Sequence, residues 1–325
     1  MLGRTPAHIP VLSKEVLLAL APQAGEHTID CTLGLGGHAE MLLTATAPTG
    51  RLLGIDRDAE ALAQAKVHLE SFGERVRTVQ GTFADIASLA ASFPKPNLIL
   101  ADLGLSSFAL DTPSRGFSFQ ADGPLDMRMD KGQGATAAEL LQSISAAELE
   151  RILQEYGEEP KSRAIAKAII ASRETHPIAT TGELASVIDA TYRQILHAPA
   201  DRPLWLGRKV HPATRTFQAL RIAVNDELGQ LTPFLGEAFA LLAPGGRLAI
   251  ISFHSLEDRL VKQFFREQAK TCVCPPEQLQ CTCDRQANAQ LLIRKPIVAS
   301  EAELQANPRS RSAKLRVIKK LSPAS

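Results

Sequence analysis

A chain of 325 residues, 45% of them hydrophobic and with a formal net charge of +1, is long enough to bury one large core or two smaller ones. No apolar run approaches the roughly 18 to 20 residues that span a bilayer, and "VLLALA" (16–21) is too short and wrongly flanked for a signal peptide, so no membrane association is expected and the cytoplasm is the expected compartment. Five cysteines, four of them within Cys272–Cys283, are not the spread framework of a secreted disulfide protein.

The first hundred residues alternate β-rich runs with helical patterns, which predicts βαβ units on a parallel sheet covered on both faces. The strands are "HTIDCT" (27–32), "GRLLGID" (50–56), "RVRTVQG" (75–81) and "NLILADLG" (97–104). Between them "HAEMLLTA" and "DAEALAQAKVHLESF" carry apolar residues at helical spacing, the second opening on Asp58 as N-cap. After Gly104 comes "SSFALDTPSRGFSFQADGPLDMRMDKGQG", a long polar segment of a kind that is usually functional or disordered. From 136 to about 196 the pattern is helical, with capping signals at Thr136/Glu139, Ser145/Glu148 and Thr180/Glu183. A long amphipathic stretch with Phe217, Leu220, Val224, Leu228 and Leu231 on one face then leads to "APGGRLAIISFHS", a turn and a buried strand. "LLIRKP" (291–296) and "AKLRVIKK" (313–320) are the last strand candidates. The expected organisation is an α/β domain in two parts, 1–108 and 213–325, around a long loop and inserted helical domain at 109–212.

The strand "HTIDCT" runs into "DCTLGLGGHAE", where Gly34, Gly36 and Gly37 allow close approach of a ligand to backbone N–H groups at a helix start. Asp56, twenty residues beyond Gly36, ends the second strand, where a carboxylate accepts from ribose hydroxyls. Any adenosine cofactor fits so far, and G-x-G-x-x-A at Gly34–Ala39 also suits an NAD-dependent dehydrogenase. Three features favour S-adenosylmethionine. Asp30 sits where an acid meets the cofactor's ammonium, "DLGLSS" at Asp102 ends the fourth strand where substrate meets the methyl, and "PGG" precedes a fifth strand with two more behind it.

Further blocks extend this pattern: "HIPVLSKEVLLAL", "GIDRD", "RGFSFQADGPLDMRMD", "KVHPATRTFQALRIAVNDEL", "ISFHSLEDRLVK" and "NPRSRSAKLRV". Together with the glycine turn and "DLGLSS", running from residue 8 to 317, they resemble the MraW family of ribosomal RNA methyltransferases. The resemblance implies a class I, Rossmann-like, S-adenosylmethionine-dependent fold with an inserted small helical domain. It also implies methyl transfer to the exocyclic N4 of a cytidine in the decoding region (P site) of 16S rRNA within the 30S ribosomal subunit. Carried over residue by residue, the family's cofactor contacts fall on Gly36, Gly37, His38, Asp56, Phe83 and Asp102. Where the family reads Ser-Ser-Pro-Gln this chain has Ser106-Ser107-Phe108-Ala109, so Ala109 stands at the position of a cofactor-contacting glutamine.

Analogy with amino methyltransferases makes Asp102, Ser106 and Ser107 the candidate catalytic acceptors for the amine hydrogens. Phe117 and Phe119 offer platforms for an unpaired base, and His254 in "SFHSLED" lies either near that base or in a capping role, with Ser255 expected as the N-cap. Residues 294–320 hold eight Lys or Arg against two Glu, so Arg309, Arg311, Lys314, Arg316, Lys319 and Lys320 suit phosphate contacts or a solvated edge strand. Arg208, Lys209, His211 and Arg215 extend that surface. Cys272-x-Cys274 and Cys281-x-Cys283 are spaced more tightly than the usual zinc pairs, so reduced thiols in a mobile loop are expected and no metal. Cys31 reads as a small core residue. A non-catalytic RNA-binding ribosome-assembly factor stays open beside the enzyme, favoured by Ala109, and the dehydrogenase rests on the glycine turn and Asp56 alone.

Overall fold

The structure, a computed structural model, describes residues 9–199, 211–275, 277–278 and 280–322, with only the backbone at Ser107. The chain divides into two compact units, one formed by Met1–Gly104 with Leu228–Ser325 and the other by Leu105–Glu227.

The first unit opens with α1 (Ser13–Leu20), followed by β1 (Thr28–Asp30), α2 (Gly37–Ala45), β2 (Leu52–Asp56), α3 (Ala59–His68), β3 (Val76–Gln80), α4 (Ile86–Leu89) and β4 (Leu98–Asp102). Asp58 caps α3 as expected, its carboxylate accepting from the N–H groups of Glu60 and Ala61 at 2.9 and 3.2 Å. All four predicted strands form, trimmed by one or two residues at their ends except at Asp56, where β2 stops as expected. They pair in parallel in the order β3-β2-β1-β4, with Ile29 opposite both Leu53 and Ile99. Alternation along each strand separates two apolar cores. Leu52, Leu98 and Leu100 pack with α1, α2 and α3 on one face, while Ile29, Leu53, Ile55 and Ile99 face the other. The result is an α/β sheet of Rossmann-like order covered on both sides.

The second unit holds α5 (Ser107–Asp111), α6 (Ala137–Ser143), α7 (Ala146–Glu155), α8 (Ser162–Thr175), α9 (Thr181–Leu196) and α10 (Ala213–Asn225). Thr136 and Thr180 make full capping boxes with Glu139 and Glu183, and Ser145 accepts from Glu148 N. Leu141, Leu149, Ile165, Ile169, Leu184 and Leu220 are buried in one core.

Three sequence expectations need correction here. The amphipathic stretch through Leu231 is two helices, because Asp226 takes a left-handed conformation (φ 48°, ψ 43°) that ends α10. Phe217 and Leu220 then belong to the helical core and Leu231 to the sheet core, so the units meet in sequence at 104/105 and 227/228 rather than at 108/109 and 212/213. The segment after Gly104, of a kind often disordered, is tied down by its own contacts. Arg115 is fully buried and donates to the carbonyls of Arg128 and Met129. Asn225 on α10 accepts from Met129 N at 2.8 Å and donates to Met127 O at 2.8 Å. Phe117, Leu125 and Met127 enter the helical core, and Phe119 packs against Phe217 and His211 at 4.9 and 4.7 Å. These aromatics are spent on packing, which removes Phe117 as a base platform.

The chain returns to the sheet through α11 (Glu227–Leu241), β5 (Arg247–Ser252), α12 (Ser255–Gln268), β6 (Ala289–Leu291), α13 (Glu301–Ala306) and β7 (Lys314–Lys320). β5 extends the parallel array beside β4, and α11, α12 and α4 cover the second face. β7 runs antiparallel between β5 and β6. The expected strand "LLIRKP" contributes only Leu291 to β6. Beyond it Leu292 N bonds Val317 O and Ile297 bridges Leu315, so the chain bulges away between two short pairings.

Asn225→Ala leaves the N–H of Met129 and the carbonyl of Met127 without their partner, at a cost of about 2 kcal/mol. Urea unfolding followed by circular dichroism is expected to show that loss, together with faster proteolysis between 115 and 135.

Candidate cofactor site at the carboxyl edge of the sheet

In a doubly wound sheet, ligands bind outside the carboxyl ends of the strands where the strand order reverses, here between β1 and β4. Asp30 ends β1, Asp56 ends β2 and Asp102 ends β4, so three carboxylates converge beside the glycine turn.

The turn is held from beneath by Asp56. Its Oδ2 accepts from Gly34 N at 2.7 Å and its Oδ1 from Asp58 N at 2.9 Å, which joins the loop after β1 to the end of β2. Burial raises the Asp56 pKa against those two hydrogen bonds. Gly36 caps α2 with φ +88°, a left-handed conformation that glycine takes without strain. Gly37 has a different reason to be glycine, since a Cβ there would lie 2.7 Å from the Pro10 ring.

Asp30 is buried, and only its Oδ1 is engaged, accepting from Thr32 N at 3.2 Å. Its Oδ2 has no partner among the described residues. Burial pushes its pKa up to about 7, opposed by His38 and Thr32 N–H and helped by the charges of Asp102 and Asp56. His38, also buried, points Nε2 to within 3.5 Å of Asp102 Oδ2, and neither ring nitrogen has a hydrogen-bond partner among the described residues. Asp102 is positioned through its backbone, its N–H donating to Thr32 Oγ1 at 2.6 Å, while its Oδ1 is also unpartnered. Buried polar atoms are normally satisfied, so this set of orphans marks a place where a ligand completes the hydrogen bonding. Crowded carboxylates suit a cation and repel a pyrophosphate.

Phe83 follows β3 in a short 3₁₀ turn and lies half-buried with its ring 4.9 Å from Phe234. Sequence reading missed Thr32, which orients Asp102, and Gln230 of α11, whose amide oxygen receives hydrogen bonds from Thr82 and Arg57 below that turn. Only the short T-L-G-L spacing gave any sign of Thr32.

Several of the remaining candidates have local partners. Ser106 is the N-cap of α5, its Oγ accepting from Ala109 N at 3.2 Å, and Ala109 is buried in the apolar core of the helical unit. The Ser107 side chain, like Arg208 and Lys209, falls outside the described positions. His254, rather than Ser255, is the N-cap of α12. Its Nδ1 faces Glu257 N, and the Glu257 carboxylate accepts from Phe253 N and His254 N. Cys31 is a core residue whose pKa burial raises.

Much of the basic terminus is committed internally. Arg316 grips Asp258 at 2.6 and 3.2 Å, and Lys314 lies 3.4 Å from the same carboxylate. Lys320 donates to the carbonyls of Phe239, Ala240 and Leu242 at the end of α11, and burial lowers its pKa. With β6 outside it, β7 is not an edge strand. In the helical unit His211 accepts from Ala213 N, and Arg215 is exposed.

The family model of the MraW methylases matches residues 5–321. The chain belongs to the MraW methylase family. Among its relatives, a protein from Syntrophotalea carbinolica named ribosomal RNA small subunit methyltransferase H is 52% identical over 317 residues, covering 97% of this chain and 98% of the relative. Proteins of the same name from Geobacter sp. (strain M21) and Heliobacterium mobile are 50% and 49% identical, each across 97% of this chain and 98% and 99% of their own. Among solved structures, a SAM-dependent O-methyltransferase from Thermotoga maritima gives a TM-score of 0.41 at 10% identity, over 99% of this chain and 69% of its own. Membership matches the class I fold that the strand order shows, and no helix among the described residues is long and apolar enough to cross a membrane.

An aspartate whose pKa is raised from 3.8 to about 7 takes up a proton on folding. Its favourable contribution is complete below pH 4 and lost as pH rises through 7. Asp30→Asn, which has no charge to desolvate, is therefore expected to melt above wild type at pH 8 and close to it at pH 4 to 5. Differential scanning calorimetry across that range checks the crossover, and a parallel shift at every pH would remove Asp30 from this role.

Proposed function

We propose that this chain methylates the exocyclic N4 of a cytidine in the decoding region (P site) of 16S rRNA, acting in the cytoplasm on the 30S subunit. Family membership across residues 5–321 carries the reading, and its relatives' name supports a small-subunit RNA substrate. The methyl donor is S-adenosylmethionine, a sulfonium that supplies an electrophilic methyl group.

The donor set fits that cofactor. Asp30, buried with a free carboxylate oxygen, suits an ammonium, Asp56 has acceptor capacity left for ribose hydroxyls, and the half-buried Phe83 ring suits an adenine. Gly36, Gly37 and His38 shape the turn between them. The cluster of Asp30, Asp56 and Asp102 disfavours a dinucleotide, whose pyrophosphate would meet like charges. The Ala109 side chain has no polar atom, so it makes none of the side-chain contacts of the family's glutamine, and the polar contacts proposed here come from the residues along the sheet edge.

The N4 lone pair of cytosine is delocalised into its ring, so the amine reacts only when aligned and when its hydrogens find acceptors. Alignment within about 3 to 3.5 Å supplies much of the rate. Asp102 is the residue equipped for this, its Oδ1 unpartnered and its backbone fixed by Thr32. The Oγ of Ser106 already accepts from Ala109 N, so its part is to place α5, and Ser107 is its neighbour in the same motif. His38 lies beside that carboxylate, its Nε2 3.5 Å from Asp102 Oδ2.

Radiolabelled S-adenosylmethionine with 30S subunits lacking the modification, digested to nucleosides, is expected to place label in N4-methylcytidine. Asp56→Ala removes a charged acceptor and should weaken cofactor binding about 10- to 100-fold. Cofactor affinity of the wild type should rise between pH 6 and 8, as Asp30 ionises, with Asp30→Asn weak and flat over that range. Subunit binding without label in any nucleoside would instead make the chain a non-catalytic assembly factor.

A further inference from the structure

The chain between α12 and β6 has little apolar packing of its own, and Val273 within it is half exposed. Its base is closed by hydrogen bonds, Asn288 N to Gln268 O at 2.9 Å and Arg285 Nη2 to Glu267 O at 2.7 Å. Within it the four sulfurs of Cys272, Cys274, Cys281 and Cys283 gather. Sγ of Cys281 is 3.5 Å from Cys272, 3.6 Å from Cys283 and 4.0 Å from Cys274, and Cys283 is 3.7 Å from Cys272. All four lie within 4.8 Å of one another and none forms a disulfide.

A zinc ion bound at about 2.3 Å to four thiolates sets its sulfurs about 3.8 Å apart, the edge of the tetrahedron. The four distances scatter about that length, whereas a disulfide requires about 2.05 Å. The tight C-x-C spacing, which the sequence reading held against a metal, is no obstacle, since Cys281 and Cys283 already sit one tetrahedral edge apart. Two backbone N–H groups also point at sulfur, Val273 N at Cys283 (3.3 Å) and Cys274 N at Cys272 (3.4 Å). Such bonds orient thiolate ligands and spread their charge. Four sulfur donors are a soft set that selects zinc over harder cations.

We propose that Cys272, Cys274, Cys281 and Cys283 form a structural tetrathiolate zinc site that folds the loop between α12 and β6. With every tetrahedral position taken by protein, no coordination site is open to substrate, so the ion holds the loop and takes no part in methyl transfer. Its binding energy stands in for the apolar core this segment lacks.

Full-length protein purified under reducing conditions is expected to carry one zinc per chain by elemental mass spectrometry, with the same content in Cys31→Ser and none in Cys281→Ser/Cys283→Ser. Zinc-stripped wild type titrated with cobalt(II) should give the intense visible absorption of a tetrahedral thiolate complex, a result independent of whether the variants fold. Chelation should raise amide exchange in 270–288 and leave β5 protected. Reduced protein with five free thiols that takes up neither zinc nor cobalt would overturn the proposal, as would an octahedral cobalt spectrum or zinc retained by the double variant.

Discussion

The reversal of strand order between β1 and β4 is the constraint on which the rest of the first unit depends. Because chains leave those two strands toward opposite faces, the carboxyl edge opens into a crevice there, and whatever residues end the strands face it. In this chain they are aspartates. Burying Asp30 with a free oxygen opposes folding, and the crowding of Asp56 and Asp102 adds to that opposition. A cationic ligand reverses the sign of the same terms, so the features that weaken the empty fold are those that favour the loaded one.

The turn shows how little covalent chain is needed to prepare such a site. Asp56 reaches under it to take the N–H of Gly34, Thr32 takes the N–H of Asp102, and the ring of Pro10 closes on Gly37. The first two link the loop after β1 to the ends of β2 and β4, and the third ties that loop to the segment before α1, so the turn is held by contacts within the chain itself. Pre-organisation of this kind lowers the ordering cost of binding.

The parallel strands, their helices and the capping boxes were legible in the sequence because each is specified locally, by alternation, helical spacing or a cap three residues from its partner. The placement of Asp30, Asp56 and Asp102 was legible because each closes a predicted strand. What was hidden depends on pairs distant in sequence. Asn225 tying Met127 and Met129, Arg316 locked to Asp258, and Lys320 capping α11 all read in one dimension as surface polar residues. The break at Asp226 was concealed because the apolar spacing runs on through it, although the two halves serve different cores.

The antiparallel placement of β7 has a consequence for how the molecule is made. Strands β1 to β4 can pair as soon as the first hundred residues have emerged, and Leu105–Glu227 form a unit of their own. β5, however, faces an open edge until residues 314–320 arrive to cover it, and Leu12 and Ile9 wait for Glu303 and Asn307 to bond them. On the ribosome, the sheet therefore stays unfinished on one side through the synthesis of the roughly sixty residues between β5 and β7, and the nascent chain passes that interval with an apolar strand edge exposed.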